Sequence, residues 1–190
     1  MSKRRKKISK RNARKWILSA VVITAVVFLG AVLGTVIGAI LNIPSWSPET
    51  LYGSETTTLY DRNGKAFYSL HAEENRIQVP LSLIPGHMKE AFIAVEDQKF
   101  YQHHGINPVA IVRAAIVDIM KGEKAQGAST ITQQLAKNAF LYPDKTWERK
   151  IKEMILSFQL ESKYSKDEIL EFYLNRIYFG SGAWGVQTAS

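Results

Sequence analysis

The longest apolar segment of the chain runs from Trp16 to Leu41, where 26 consecutive residues carry no charge. As a helix, this segment would be roughly 39 Å long, which exceeds the thickness of about 30 Å of a bilayer core. A cleaved signal peptide is the alternative, but the apolar region of such a peptide usually has only about 7–15 residues. The pattern therefore favours an uncleaved transmembrane helix.

Three glycines recur every four residues within this segment, at Gly30, Gly34 and Gly38. They share one helix face, and this spacing permits close approach by a second helix. Transmembrane helices are also rich in glycine in general, so the spacing has a simpler explanation as well. We therefore expect self-association of the anchor through this face, and the general glycine content of transmembrane helices is the alternative explanation.

After a Pro- and Ser-containing linker, the pattern changes to short runs of β-prone residues. Thr57–Tyr60 and residues 65–70 flank Asn63 and Gly64, and Asn-Gly between two such runs is typical of a β-hairpin. A third short run occupies residues 76–79 and ends at Pro80. We therefore predict a small β element directly after the linker.

From Pro85 onward the apolar spacing is helical. Helices are predicted over 88–95, 107–122, 129–138, 146–164 and 165–175, and a glycine-containing loop follows at 180–185. The helix at 107–122 is apolar on nearly every side, which predicts that it is central and buried. In the helix at 146–164, one apolar stripe comprises Trp147, Ile151, Met154, Ile155 and Phe158. Leu156 and Leu160 lie on the other side, so this helix is expected to be covered on both faces.

The net charge of +8 is concentrated at the N-terminus. Residues 1–15 contain nine Lys and Arg and no acid, so 16 of the 25 basic residues remain against 17 acidic ones. No nucleic-acid partner is indicated, whereas a basic tail beside an apolar span is attracted to anionic lipids and stays cytoplasmic. We expect a cytoplasmic tail at 1–15, a signal-anchor helix at 16–41, a linker at 42–56 and an extracytoplasmic domain at 57–190. The sequence has no cysteine, which excludes disulfide and thiolate chemistry.

Two carboxylates are candidates for proton transfer. Glu96 and Asp97 follow five apolar residues, and a carboxylate desolvated in this way has a raised pKa suited to proton transfer. A solvated acid at a helix end fits the same pattern equally well. Glu153 lies beside Leu156 and Leu160, one turn after Arg149, which indicates a groove. The alternative is an ordinary Arg149–Glu153 ion pair at i, i+4, worth about 0.3–0.5 kcal/mol.

A dense polar segment provides candidate binding groups. Hydroxyl, amide and ammonium groups crowd ten residues: Ser129, Thr130, Thr132, Gln133, Gln134, Lys137 and Asn138. Sugars require many such donors and acceptors, and a lysine ammonium suits phosphate. The adjacent histidines, His103 and His104, have no third metal ligand at a recognisable spacing, so we expect them to have a structural role in a tight turn.

Five of these segments, taken in order, resemble the glycosyltransferase domain of class A penicillin-binding proteins and of monofunctional peptidoglycan glycosyltransferases. Residues 96–105 are similar to the first motif of that family, E-D-x-x-F-x-x-H-x-G. Residues 127–138 resemble the second motif, with Ala128 where a second glycine is common, and residues 149–153 resemble the third, R-K-x-x-E. Residues 169–175 are similar to the fourth motif, and residues 178–185 to the start of the fifth.

This resemblance implies a mainly α, lysozyme-like fold with a small membrane-associated lobe, incomplete at its C-terminus because the domain of the family extends further. It implies polymerisation of lipid II into glycan strands at the outer face of the bacterial cytoplasmic membrane, with inversion and release of undecaprenyl diphosphate. Lipid II, lipid-linked glycan and the cytoplasmic membrane would be the partners. No cofactor is implied as a requirement, and a Mg²⁺ or Mn²⁺ ion at the diphosphate is allowed.

The resemblance also assigns residue roles. Glu96 would be the general base, and Glu153 would assist near the departing diphosphate. Substrate binding would fall to nine further residues: Asp97, Ser129, Gln133, Gln134, Lys137, Asn138, Lys145, Arg149 and Lys150. Lys145 stands where arginine is frequent, which keeps the charge but loses bidentate phosphate contact. The alternatives are a membrane-anchored glycoside hydrolase of lysozyme-like shape, which has less use for the cations, and a non-catalytic scaffold of the cell wall.

Overall fold

A computed structural model describes residues 10–45, 47–52, 57–70, 75–122, 127–142 and 146–190 of the chain. It divides into two compact units, Met1–Asn42 and Ile43–Ser190. The first unit contains one helix, α1 (Lys10–Leu41). Its segment Arg14–Leu41 is long and apolar enough to cross a membrane, in agreement with the predicted span. A Cβ built at Gly30, Gly34 or Gly38 meets nothing within 4 Å, so this face is open to a neighbour.

The second unit begins with a short helix and the predicted hairpin. Helix α2 (Pro48–Tyr52) precedes strands β1 (Thr57–Tyr60) and β2 (Ala66–Leu70), which pair antiparallel. The turn is closed by Asp61, whose Oδ1 accepts hydrogen bonds from the backbone N–H groups of Asn63 at 2.8 Å and Lys65 at 2.9 Å. Gly64 adopts a φ of 79°, a value that favours glycine. The hairpin prediction is confirmed.

A second small sheet differs from the prediction. Strand β3 (Asn75–Arg76) pairs with a strand more than 100 residues later, β5 (Ala183–Trp184), which also pairs with β4 (Tyr178–Gly180). The glycine-containing segment predicted as a loop therefore supplies two strands. Such short strands depend on a partner remote in sequence, and local residue patterns contain no information on that pairing.

Three packed helices form the centre of the second unit: α5 (Ile131–Phe140), α6 (Trp147–Lys163) and α7 (Lys166–Arg176). Their N-termini are fixed by side chains, since Thr130 with Gln133 and Ser165 with Glu168 form capping boxes and Thr146 caps α6. The core cluster of buried apolar side chains comprises Leu51, Ile84, Phe100, Ile131, Leu135, Ala136, Leu156, Leu160, Ile169, Leu170, Phe172, Tyr173, Leu174 and Val186. Helix α3 (Gly86–Glu96) packs on this core through Met88, Phe92 and Ile93 and directs Glu96 toward α5. A final turn, α8, spans Val186–Ala189.

The prediction for the apolar helix at 107–122 is wrong in one respect. Helix α4 (Pro108–Lys121) has the predicted Asn107 cap and ends at Gly122, but Ala114 is its single buried residue. Most of its large side chains are exposed, among them Val109, Val112, Ile116, Ile119 and Met120, with exposed fractions between 53% and 82%. Apolar composition reports only that the surroundings are not water, and it does not distinguish a protein core from lipid or a binding partner.

Helix α6 is covered on one face by the part of the protein that the structure describes. Trp147 is 84% exposed and Phe158 is 48% exposed, so the apolar stripe that contains them is not fully covered, although cover on both faces was expected. The buried face instead carries Glu153, Leu156, Ser157 and Leu160. Both faces contain large apolar residues, so periodicity alone could not identify the one that α5 covers.

Candidate active site

A cavity of about 450 Å³ lies between the end of α3, the start of α4 and the segment that leads into α5. Four of the predicted site residues line it: Glu96, Asp97, Ser129 and Gln134. Two cations that were not predicted as site residues, Lys99 and Arg113, line it as well. Arg113 could have been singled out, because it is one of the few charged residues on the apolar helix α4. The cavity therefore combines carboxylates, an amide, a hydroxyl and positive charge.

Glu96 is held by an amide at the edge of this cavity. The Gln134 Nε2 group donates a hydrogen bond of 2.8 Å to Glu96 Oε2. The residue is exposed, and its neighbour Val95 is 82% exposed, so the expectation of a desolvated carboxylate is wrong. The preceding apolar run packs on the core through Phe92 and Ile93 only, and the chain leaves the core before it reaches Glu96.

Asp97 points into the protein. It is 7% exposed, and its Oδ2 lies 2.8 Å from His103 Nε2 and accepts a 3.2 Å hydrogen bond from the Ile131 N–H. This carboxylate thereby ties the first motif to the N-terminus of α5. His103 takes part in this arrangement, which agrees with the structural role expected for the histidine pair. The predicted contact of Asp97 with substrate stays a prediction.

Glu153 is buried and forms an ion pair, but its partner is the partly exposed Lys150. Glu153 is 2% exposed, and Lys150 Nζ contacts its Oε1 and donates a 3.0 Å hydrogen bond to Ser129 Oγ. Since Ser129 also lines the cavity, this pair lies directly beside it. The alternative of a simple Arg149–Glu153 pair is wrong, because side chains three residues apart on α6 meet here instead of those four apart.

Lys137 on α5 and Arg149 on α6 are half-buried. Within the part of the chain that the structure describes, neither side chain has a hydrogen-bond or ion-pair partner, and Arg149 Nε is fully buried. A half-buried cation without a counter-charge is suited to an anionic ligand. Neither residue lines the cavity that contains Glu96, and their predicted contacts with a diphosphate stay predictions.

The remaining predicted residues differ in their accessibility. Gln133 is 1% exposed, and its side-chain oxygen accepts from the Thr130 N–H within the capping box, so it supports the site from inside. Asn138 is exposed on α5. Lys145 lies outside the described residues. Among those that are described, no group of three or more His, Cys, Asp and Glu side chains could hold a metal ion.

Tyr173 on α7 also belongs to this region and was not predicted as a site residue. It is 1% exposed, and its hydroxyl lies 3.4 Å from Gln134 Oε1. Burial, and secondarily the negative charge of Glu96, raise the pKa of Tyr173 above its ordinary value. In the sequence this residue reads as one of several apolar core positions of α7, and only the folded structure brings it next to Gln134.

Comparison with known proteins gives consistent matches. The sequence model of the family described as Transglycosylase matches residues 63–190. Penicillin-binding protein 1F of Bacillus subtilis (strain 168) is 53% identical over 135 residues, covering 71% of this chain and 19% of that protein. Penicillin-binding protein 1A/1B of the same organism is 48% identical over 164 residues, covering 85% and 18%. Penicillin-binding protein 1A of Escherichia coli (strain K12) is 52% identical over 132 residues, covering 70% and 15%. The chain spans about a fifth or less of the length of these relatives.

Proposed function

The chain belongs to the transglycosylase family of class A penicillin-binding proteins, and from this premise we propose that it is a peptidoglycan glycosyltransferase acting on lipid II. The observation that carries the proposal is the position of Glu96. It lines a cavity of sugar-binding size, and Gln134 holds one of its carboxylate oxygens at 2.8 Å. The described residues donate no hydrogen bond to the other oxygen, which leaves it available to accept a proton.

In the proposed reaction, Glu96 removes the proton from the 4-hydroxyl of the acceptor sugar. The resulting oxygen nucleophile attacks the anomeric carbon of the lipid-linked donor, and a new glycosidic bond forms with inversion. The bond from the anomeric carbon to the diphosphate oxygen breaks, and undecaprenyl diphosphate leaves with the bonding electron pair. The proton rests on Glu96 until solvent removes it.

Charge on the leaving group requires cations on the donor side of the site. Lys137 and Arg149 have no counter-charge among the described residues, which supports their assignment to the diphosphate. Lys150 is held by Glu153 and Ser129 and would add a third positive charge at a fixed position. In this arrangement Glu153 acts by positioning Lys150. Lys145 is proposed as a fourth contact on the resemblance alone.

The proposed substrates are lipids, and two helices suit a site at a membrane. Helix α1 would anchor the protein as a single-pass type II membrane protein, with the second unit outside the cytoplasm. Along α4, an apolar groove of about 500 Å³ is lined by Val112 and Ile116 and shares Val109 and Arg113 with the polar cavity. An isoprenoid chain would lie in this groove while Arg113 faces its phosphate. The same face would rest in the lipid of the outer leaflet.

No step of this reaction depends on a bound cofactor. The described residues contain no group of three or more His, Cys, Asp and Glu side chains that could hold a metal ion. By the family resemblance, an Mg²⁺ or Mn²⁺ ion is allowed at the diphosphate of the substrate. In that position it would add to the positive charge of Lys137 and Arg149.

The proposal is tested with labelled lipid II in detergent, followed by gel separation of glycan products. Glu96→Gln should lower polymerisation by about 10²–10⁴-fold, because loss of a general base has that typical cost. Its thermal unfolding midpoint should stay close to that of the unchanged chain, because Glu96 is exposed. Activity of Glu96→Gln within a few-fold of the unchanged chain would remove Glu96 from the mechanism. Release of short soluble sugars in place of polymer would favour a hydrolase.

A further inference from the structure

Three side chains from three different helices form a hydrogen-bonded chain that ends at the proposed base. Tyr173 of α7 donates to Gln134 Oε1 of α5 at 3.4 Å, and Gln134 Nε2 donates to Glu96 Oε2 of α3 at 2.8 Å. We propose that Tyr173 is a positioning residue for the glycosyl transfer, which it serves by fixing the Gln134 amide so that this amide donates to Glu96. We call these three side chains the relay. The inference rests on the proposed function, because it gives the relay a role in that reaction.

The burial of Tyr173 makes its hydrogen bond to Gln134 necessary. Tyr173 is 1% exposed, and a buried tyrosine hydroxyl requires a hydrogen-bond partner. Gln134 Oε1 is the one partner that the described residues offer to it. The ring is held on its side by Phe92 of α3, in an edge-to-face contact with centroids 6.4 Å apart. Since Phe92 lies one turn before Glu96, the same helix positions the aromatic ring and the carboxylate.

The two ends of the relay select one orientation of the amide. If the Gln134 amide turned over, its oxygen would face the Glu96 carboxylate and two acceptors would repel each other. In the observed orientation, the hydroxyl of Tyr173 satisfies the amide oxygen and the amide N–H satisfies Glu96. Tyr173→Phe would remove this donor from the amide oxygen of the half-buried Gln134, so the orientation of Gln134 would be less strongly fixed.

The relay determines how Glu96 can act as a base. Glu96 lines the cavity, its Oε2 is occupied by Gln134, and its Oε1 accepts nothing from the described residues, so one oxygen is held while the other can accept a proton. A hydrogen bond donated to a charged carboxylate stabilises the charged form. Loss of this bond would remove that stabilisation. The other charged groups that line the same cavity are Asp97, Lys99 and Arg113, and a change at Tyr173 leaves them in place.

The test follows the carboxylate directly and does not require turnover. In the full chain, glutamate labelled with ¹³C at Cδ is titrated by NMR, and Glu96→Gln identifies the Glu96 signal. Tyr173→Phe should raise the titration midpoint of Glu96 by roughly 0.4–1 pH unit, the equivalent of one neutral hydrogen bond. Tyr101→Phe is the matched control, because it removes a tyrosine hydroxyl that bonds Asp167 at 2.9 Å, outside the cavity. It should leave the midpoint unchanged.

A double-variant comparison shows whether Tyr173 acts through Gln134. Gln134→Met should raise the midpoint at least as much as Tyr173→Phe, and adding Tyr173→Phe to it should change nothing further. An unchanged midpoint in Tyr173→Phe, or equal shifts in both backgrounds, would overturn the relay. If Tyr173→Phe unfolds, an unchanged midpoint in Gln134→Met overturns it in the same way.

Kinetics then separates the relay from the proposed function. In the polymerisation assay, Tyr173→Phe should lower kcat by about three- to tenfold with little change in KM, and the acidic limb of the pH–rate profile should move to higher pH. If Tyr173→Phe shifts the Glu96 midpoint as expected but the unchanged chain makes no polymer, the proposed function is contradicted and the relay stands. If Tyr173→Phe polymerises as fast as the unchanged chain, the positioning role is contradicted.

Discussion

At the scale of single residues, the main finding is how α6 distributes its charges. Lys150 is paired with Glu153 beside Ser129, whereas Arg149 has its Nε buried and no described partner. A cation that is paired inside the protein contributes a fixed field, and an unpaired one is available to a ligand. Arg149 and Lys137 are therefore the residues whose loss should affect diphosphate binding more than folding.

Calorimetric titration with a phosphoglycolipid such as moenomycin tests this assignment. Lys137→Gln and Arg149→Gln should each weaken binding by an order of magnitude or more, because a hydrogen bond to a charged group is worth about 1.5–3 kcal/mol. Thermal stability should change little. Lys152→Gln is the matched control, since Lys152 also lies on α6 but pairs with Glu148 at 2.7 Å. Unchanged affinity in both site variants would contradict the diphosphate assignment.

The sequence predicted the identity of the site residues better than it predicted their contacts. The motifs indicated Glu96, Gln134 and Glu153, and the structure brings Glu96 and Gln134 into contact. Gln133 and Gln134 are neighbours on one helix and therefore point in different directions. Sequence spacing did not reveal that Gln133 is the one that turns inward. Nor did it reveal Tyr173, whose role depends on α7 lying against α5.

At the scale of elements, the first motif is fitted closely against α5 and α6. Gly105 has a φ of 84°, and a Cβ placed there would lie 3.0 Å from the backbone carbon and oxygen of Ser157 on α6. The Gly105 carbonyl accepts a 2.5 Å hydrogen bond from Thr130 Oγ1, the cap of α5. This one glycine thus allows the turn after Glu96 to contact both helices that carry the proposed cations.

Gly105→Ala should be strongly destabilising for two separable reasons. The positive φ costs a non-glycine residue roughly 1–2 kcal/mol, and the backbone clash adds about 1–3 kcal/mol of overpacking. Gly64→Ala separates the two, because Gly64 has a φ of 79° and nothing within 4 Å of the added carbon. The free energy of unfolding from denaturant titration should fall by the first amount in Gly64→Ala and by both in Gly105→Ala. Equal losses in the two variants would contradict the close contact with α6.

Helix positions could be predicted from periodicity and capping residues, but their outward faces could not. Asn107, Thr130 and Ser165 begin their helices as expected. The burial of α4 was predicted wrongly because a hydrophobicity pattern reports avoidance of water and not the identity of the neighbour. For the same reason, the pattern of α6 did not show which of its two apolar faces the core would cover. For α4 the exposed apolar face makes sense if its neighbour is the hydrocarbon of a membrane.

At the scale of the whole molecule, the chain separates into a basic and apolar N-terminal part and a nearly neutral domain. The two units divide after Asn42, close to the predicted end of the span at Leu41. This boundary could be predicted because the apolar run ends there and hydropathy falls over only a few residues. The pairing of β3 with β5 could not be predicted in this way, because it joins positions more than 100 residues apart.

The orientation of the chain in the membrane follows from the same asymmetry. Nine of the first 15 residues are Lys or Arg, and the span begins directly after them, so this flank should remain in the cytoplasm. A phosphatase that is active only outside the cytoplasm, fused after Ser190, should be active in intact cells, and a reporter that requires the cytoplasm should be inactive there. A matched fusion in which the nine basic residues are replaced by Gln should lose this one-sided result, because the segment from Trp16 to Leu41 carries no charge of its own. Protection of the fused C-terminus from protease in intact spheroplasts would contradict the orientation. It would also separate the site from substrates that reach the outer leaflet, so the proposed reaction depends on this result as much as on Glu96.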